Sequence, residues 1–182
     1  MPEEYTLPAS HLAAAANPTL HLAWASYNAT PLRGEVPLDL AEFAAFVEKS
    51  NPHTVFAPLG IRVPSFDPDL FQVALDIDSR HLQHLGMLHG GVSALLAESA
   101  ASMAAAASVD MRANTIAGVD LNATHLKGKR SGTITATARP LFRGKNIHVY
   151  SIDITDEEGD LVCAARCTIA VRPRQRSADA DE

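Results

Sequence analysis

Between Val92 and Val109 the chain carries a single charged residue, Glu98, in a stretch otherwise made of alanine, serine and apolar side chains. The pattern predicts one helix over residues 91–108, ~27 Å long at 1.5 Å per residue. A helix with so few polar positions cannot face water along its length and belongs inside a fold. Ala94, Ala97, Ala100, Ala101 and Ala104 to Ala107 keep it slender. A sheet can therefore approach closely around it.

The flanking sequence supplies that sheet. Four apolar-rich strands are expected after the helix, at roughly 115–126, 131–141, 146–155 and 161–171. In the last, Leu161, Cys163, Ala165, Cys167, Ile169 and Val171 alternate onto one face. Arg143-Gly144-Lys145 and Asp156-Glu157-Glu158-Gly159 read as hairpin connections. Two more strands are expected before the helix. Val55, Ala57, Leu59, Ile61 and Val63 alternate, as do Phe71, Val73, Leu75 and Ile77, with Pro64 and Pro68 at the turn. A further helix starts at Asp39, which has capping-box spacing to Glu42. Leu40, Phe43, Phe46 and Val47 share its apolar face, and it ends near Ser50-Asn51-Pro52. The expected class is α+β: an antiparallel sheet of about six strands around a long central helix.

Residues 39–173 make this domain. Residues 1–38 hold five prolines and the lone Trp24, and read as an extension packed on the surface or on a partner, with Ser10 capping one turn through Ala16. Residues 174–182 read as a polar, frayed tail. The formal net charge of -6 argues against general nucleic-acid binding. No apolar run reaches membrane-spanning length. Asn17 and Pro18 interrupt the N-terminal alanines, so no signal peptide is expected and the reading is cytoplasmic. Cys163 and Cys167 fall on one strand face, ~13 Å apart, too far for a disulfide. Two thiols make a poor zinc site, so no metal is expected.

The chemistry concentrates where the buried helix begins. Gly90-Gly91 either bares backbone N–H groups that bind an oxyanion or polarised carbonyl, or merely eases a tight turn. Glu98 has Ala94, Leu95, Ala101 and Ser102 as its helical neighbours, with no cation to pair with. Either it is held in the interior for use as a base, desolvation raising its pKa, or it reaches solvent at a helix edge. Gln83 and His89 flank the turn and offer N–H donors for a carbonyl or a water. Ser102 shares a face with Glu98, to orient it or a water, or to bond back to its own helix. Gly90 and Glu98 are eight residues apart, ~12 Å along the axis, while a glutamate side chain spans ~5 Å. One chain's Glu98 therefore cannot serve its own Gly90. Two antiparallel helices would solve this, and an obligate homodimer with two composite sites is expected.

Gln83, five residues, then His89-Gly90-Gly91, followed by Glu98 and Ser102, resembles the hotdog-fold acyl-CoA thioesterases. The nearest branch is that of dihydroxynaphthoyl-CoA hydrolase and the glutamate-type hydroxybenzoyl-CoA thioesterase. Leu121-Asn122-Ala123-Thr124-His125, Arg139-Pro140-Leu141 and Asp156 to Gly159 are similar to its later strands. The resemblance spans residues 39–173 and implies roles. Gln83 and His89 would position the thioester, Gly90 N–H would polarise its carbonyl, Glu98 of the neighbouring subunit would act as nucleophile or general base, and Ser102 would assist the water. It also implies hydrolysis of an aromatic or medium-chain acyl-CoA, with no cofactor beyond the coenzyme A of the substrate, and assembly as a dimer or a dimer of dimers. A non-catalytic acyl-CoA-binding module is the alternative.

Coenzyme A needs cations for its phosphates. From Leu121 to Tyr150 there are six basic residues, Lys127, Lys129, Arg130, Arg139, Arg143 and Lys145, and no acidic ones. These are either a phosphate site or a solvated basic face. The expected coenzyme A contacts are Lys127, Lys129, Arg130, Arg143, Lys145 and His125.

Overall fold

A computed structural model describes residues 40–174; the N-terminal extension, with Trp24 and the turn capped by Ser10, and residues 175–182 lie outside the described residues. The elements in order are α1 (Leu40–Ser50), α2 (Phe56–Leu59), β1 (Arg62–Ser65), β2 (Phe71–Asp76), α3 (Gly90–Ala106), β3 (Asn114–His125), β4 (Thr133–Arg143), β5 (Ile147–Asp156) and β6 (Leu161–Pro173). Single 3₁₀ turns fill Asn51–His53 and Ser79–His81.

The six strands form one antiparallel sheet in the order β1-β2-β4-β5-β6-β3. It curls round α3, which packs against β2, β3, β4, β5 and β6. Leu96, Ala97, Ala100, Ala101, Ala104 and Ala105 of α3 are fully enclosed. Facing them are Phe71, Leu75, Ile134, Ile152, Ile154 and Ile169, also without exposure. Alanine on the helix against large β-branched side chains on the sheet gives the interlocking that dense packing requires. At ~25 cal/mol per Å², each large side chain so enclosed contributes ~1.5–3 kcal/mol. Helix α1 closes the near end of the core through an aromatic chain, Phe43 to Phe66 (6.2 Å between ring centres) and Phe66 to Phe71 (5.6 Å), both edge-on.

The buried helix, the four later strands and both hairpins match the sequence expectation to within about two residues. The strand expected over Val55–Val63 does not form at that length. Its first half is the helical turn α2, and pairing begins only at Arg62. Gly60 closes α2 with φ 64°, a left-handed conformation that glycine adopts without strain. Arg80 then holds the Pro58 carbonyl and His81 the Leu59 carbonyl, so two groups a strand would have paired are occupied elsewhere.

Strand β3 is one of the sheet's two edge strands, β1 being the other. It runs for 12 residues, and its register shifts between Gly118 and Asp120. Val119 in that bulge is 62% exposed. A long, exposed edge of this kind is a template for pairing with another strand.

Candidate active site

The start of α3 is built by the loop before it. Gln83 N–H bonds the Met87 carbonyl (2.8 Å) and Gly86 N–H bonds the Gln83 carbonyl (2.8 Å), folding residues 83–87 into a tight loop. Gly86, at φ 71°, permits the reversal. The loop is fixed from outside: Arg130 donates to the Leu85 and Gly86 carbonyls, and Leu88 N–H bonds the Lys129 carbonyl. His89 then caps the helix, its Nδ1 accepting from Gly91 N–H at 2.8 Å. That bond gives the neutral imidazole its proton on Nε2, so its free nitrogen is a donor. Among the described residues Gly90 N–H has no acceptor.

Gly90 answers a packing demand as well. A Cβ there would stand 2.7 Å from Nε2 of His125, which lies directly over the backbone. Gly90, Gln83, Met87, Ser93, His125 and Lys127 border a cavity of about 280 Å³. The Gln83 side-chain oxygen accepts from Leu85 N–H, which sets the amide so that its NH₂ is left to donate. Three donors, from Gln83, His89 and Gly90, thus surround the mouth of α3. That is the arrangement a carbonyl acquiring negative charge requires.

Glu98 lies two turns further on and borders a different cavity, of about 530 Å³, with Phe56, Leu95, Ser99, Ser102, Met103 and Leu121. Its side chain is exposed and extends over Gly118 of β3. Any side chain at 118 would collide with the carboxylate. Of the two alternatives for Glu98, the single chain shows the second: it reaches solvent at the helix edge, because α3 presents it beside the edge strand β3. Ser102 borders the same space. Ser108 spends its hydroxyl on the Ala105 carbonyl, whereas no such bond engages Ser102 among the described residues.

The structure thus groups the sequence candidates into two sets, Gln83, Gly90 and His125 around one cavity and Glu98 with Ser102 around the other, with His89 lining neither and capping the helix between them. Sequence reasoning missed Phe56, Met103, Leu121 and Gly118. A glycine inside an otherwise regular strand was the available signal for the last.

The basic residues are spread between the two ends of the sheet. His125 pairs with Cys163 on β6 and Ile147 with Ala170. Seven residues of strand separate these ends, ~23 Å. Lys127, Lys129 and Arg130 lie toward the first end, and Arg143 and Lys145 at the second. Most already have partners. Lys127 meets Asp156 (2.8 Å) and Asp160 (2.6 Å). Lys129 meets Asp156, Glu157 and Glu158. Arg139 pairs with Asp153 and Arg143 with Asp69. The Lys127 ammonium holds the Asp156 carboxyl well below the usual carboxylate range. No carboxylate faces Lys145 or Arg130 among the described residues. Cys163 and Cys167 are both enclosed free thiols, and burial pushes the Cys167 thiol up to about 11. No described helix is long and apolar enough to cross a membrane.

Comparison with known proteins accords with this geometry. Residues 85–163 match the model of the thioesterase superfamily. A 1,4-dihydroxy-2-naphthoyl-CoA hydrolase of Listeria monocytogenes is 42% identical over 118 residues, 65% of this chain and 95% of that one. The Escherichia coli protein of the same name is 35% identical over 113 residues, 62% of this chain and 82% of that one. Among solved structures, a Haemophilus influenzae thioesterase superposes with a TM-score of 0.69 at 33% identity, covering 81% of this chain and 99% of its own. A mutant thioesterase of Pseudomonas aeruginosa gives 0.68 at 38% identity, covering 78% and 98%. With the central helix, the antiparallel sheet and relatives matched over nearly their whole length, the chain is a hotdog-fold thioester hydrolase of the thioesterase superfamily.

Proposed function

We propose that the chain hydrolyses an aromatic or medium-chain acyl-CoA to the free acid and coenzyme A, at composite sites formed between two copies of itself. The observation that carries this reading is the division of the chemistry between two cavities. The unpartnered Gly90 N–H borders one and the Glu98 carboxylate the other. Neither cavity alone holds both the Gly90 donor and the Glu98 carboxylate.

Edge-to-edge pairing of β3 brings the halves together. A two-fold axis near Leu121 and Asn122 sets Gly118 of one copy opposite His125 of the other. Glu98 lies over Gly118 and Gly90 lies under His125, so each carboxylate meets the other copy's donors. The thioester carbonyl is then polarised by Gly90 N–H, with Gln83 and His89 as further donors. Either Glu98 takes a proton from a water oriented by Ser102, which attacks the carbonyl carbon and expels the coenzyme A thiolate, or Glu98 attacks the carbon itself, the thiolate leaves, and that water then cleaves the acyl-glutamyl anhydride to the free acid. The apolar side chains of Phe56, Leu95, Met103 and Leu121 line the space for the acyl group. The coenzyme A phosphates take their cations from Lys145 and Arg130, with His125, Lys127, Lys129 and Arg143 close to the ligand's path. The sheet's two basic ends belong to different copies at any one site. Pairs of such dimers complete a tetramer, in the cytoplasm.

The test is turnover of a panel of acyl-CoA esters, followed by release of free thiol, for the wild type and Glu98→Gln. Loss of turnover in the variant is expected; unchanged turnover would remove Glu98 from the mechanism. Tight binding of the esters by the wild type without hydrolysis would instead identify an acyl-CoA-binding module.

A further inference from the structure

One wall of the cavity beside Glu98 comes from neither the central helix nor the sheet. Phe56 reaches it from α2, the four-residue turn that stands where a strand was expected. The ring is 8% exposed and belongs to the core, so its position is set by packing as well as by α2. Two neighbouring residues hold α2 in place. Arg80 donates to the Pro58 carbonyl and is itself fixed by Asp78. His81, fully enclosed, bonds the Leu59 carbonyl through Nε2 at 2.9 Å. Its Nδ1 accepts from Asp78 N–H at 2.9 Å, which makes Nε2 the donor toward Leu59. The backbone carbonyl of the same residue accepts from His89 N–H at 2.8 Å. His89 is the cap of α3 and immediately precedes Gly90. A single buried residue therefore joins the wall of the apolar cavity to the turn that presents the oxyanion donor.

We propose that Phe56 sets the size of the acyl group the enzyme accepts, and that His81 is the positioning residue that fixes both this wall and, through His89 N–H, the Gly90 turn that its own chain lends to the other copy's site. The proposal rests on the reading of the 530 Å³ cavity as the acyl site. A wall on a pinned turn cannot retreat to admit a larger group, so a change in ring size passes directly into discrimination. One methylene in an apolar pocket changes selectivity by roughly tenfold or more.

The experiment compares a short aliphatic and an aromatic acyl-CoA, measuring kcat and KM for the esters and Kd for the matching non-hydrolysable thioethers. Phe56→Leu should shift the aromatic-to-short ratio up and Phe56→Trp should shift it down, each by about tenfold. His81→Phe removes both ring hydrogen bonds. It should move the ratio in the same direction as Phe56→Leu and lower kcat, because the Gly90 turn loosens too. His81→Gln, whose amide offers both a donor and an acceptor, should recover most of both. Unmoved ratios in the two Phe56 variants overturn the assignment of the wall. A His81→Phe protein that is less stable but keeps the wild-type ratio and kcat shows a merely structural histidine and overturns the positioning role. If the wild type binds the thioethers with a Phe56-dependent size preference but hydrolyses no ester, the catalytic reading fails and the size wall stands. If it binds none of them, both fail.

Discussion

Consider two inactivating substitutions placed in separate chains. Gly90→Pro deletes the one backbone N–H that α3 leaves without an acceptor. Proline is well tolerated at the first position of a helix, where no intrahelical bond is lost. His89, at φ -70° and ψ 129°, already has the extended conformation that a residue before proline prefers. The added Cβ meets the His125 imidazole first, an exposed side chain. Loss of one oxyanion donor costs ~10²–10³ in kcat, about 2.7–4 kcal/mol. Glu98→Gln keeps the shape of the side chain and removes its basicity, for ~10²–10⁴. Each parent protein should then retain about 1% of activity or less. In a composite dimer the mixed species has one doubly damaged site and one intact site, which takes Gly90 from one chain and Glu98 from the other. Random reassortment makes about half the dimers mixed, so co-refolding equal amounts should restore about a quarter of wild-type activity. That is a rise of at least ~25-fold over either parent, read directly from thiol release. If the mixture stays at the mean of its parents, each chain uses its own Gly90 and Glu98, and the separation of ~12 Å along α3 has been misjudged.

Other consequences can be checked with single variants. Val119→Lys adds a charge to the free edge at a position 62% exposed in the single chain; sedimentation should show monomers with an unchanged fold and little activity, since lysine on an edge opposes pairing. Leu96→Ala, at a site with no exposure, should cost 2–5 kcal/mol in urea unfolding. Asp156 has its native pKa depressed by Lys127. Its contribution to stability is therefore complete above the unfolded-state pKa near 4 and fades as pH falls below it; unfolding midpoints at pH 5 and pH 3 should differ less in Asp156→Asn than in the wild type. With the Cys167 thiol raised to about 11 by burial, a thiol reagent at pH 8 should label neither cysteine until denaturant is added, and rapid labelling of the native protein would contradict the packing of β6.

The central helix was legible because composition alone decides it. A run with one charge in eighteen positions has nowhere to go but the interior, and strands rich in branched residues follow it in hairpin order. The turn α2 was not legible, because its apolar residues alternate as a strand's do from Val55 to Val63. What breaks that pattern is the pair of carbonyl bonds from Arg80 and His81, some twenty residues downstream. The same limit applies to the charges. Between Leu121 and Tyr150 the basic residues stand alone in sequence, and only the pairing of β3 with β6 carries Lys127 to Asp156 and Asp160 at the β5–β6 hairpin. Gln83, His89, Gly90, Glu98 and Ser102 were all identifiable as candidates. Their division into two groups followed from helix rise, yet the position of Glu98 over Gly118 depends on how β3 lies against α3, which no local pattern encodes.

The exposure of Glu98 and the bareness of β3 are two aspects of one feature. A glutamate on a helix otherwise enclosed by its own sheet could have been turned toward the mouth of α3 only if it sat within a turn of Gly90. At eight residues' distance it is directed instead to the margin where the sheet ends. There β3 narrows to Gly118 and bulges at Val119, so that the carboxylate passes over the strand instead of being covered by it. A bulge beside a functional group is a common way of aiming it. The strand that the carboxylate crosses is the longer of the sheet's two edge strands, and its outer edge, along 12 residues, has no neighbour among the described residues. A second copy of β3 would satisfy those backbone groups and at the same stroke withdraw Glu98 from water, which is the change that makes a carboxylate a stronger base. On the composite-site reading the strand edge and the carboxylate then share one missing partner, and blunting the edge disables the site.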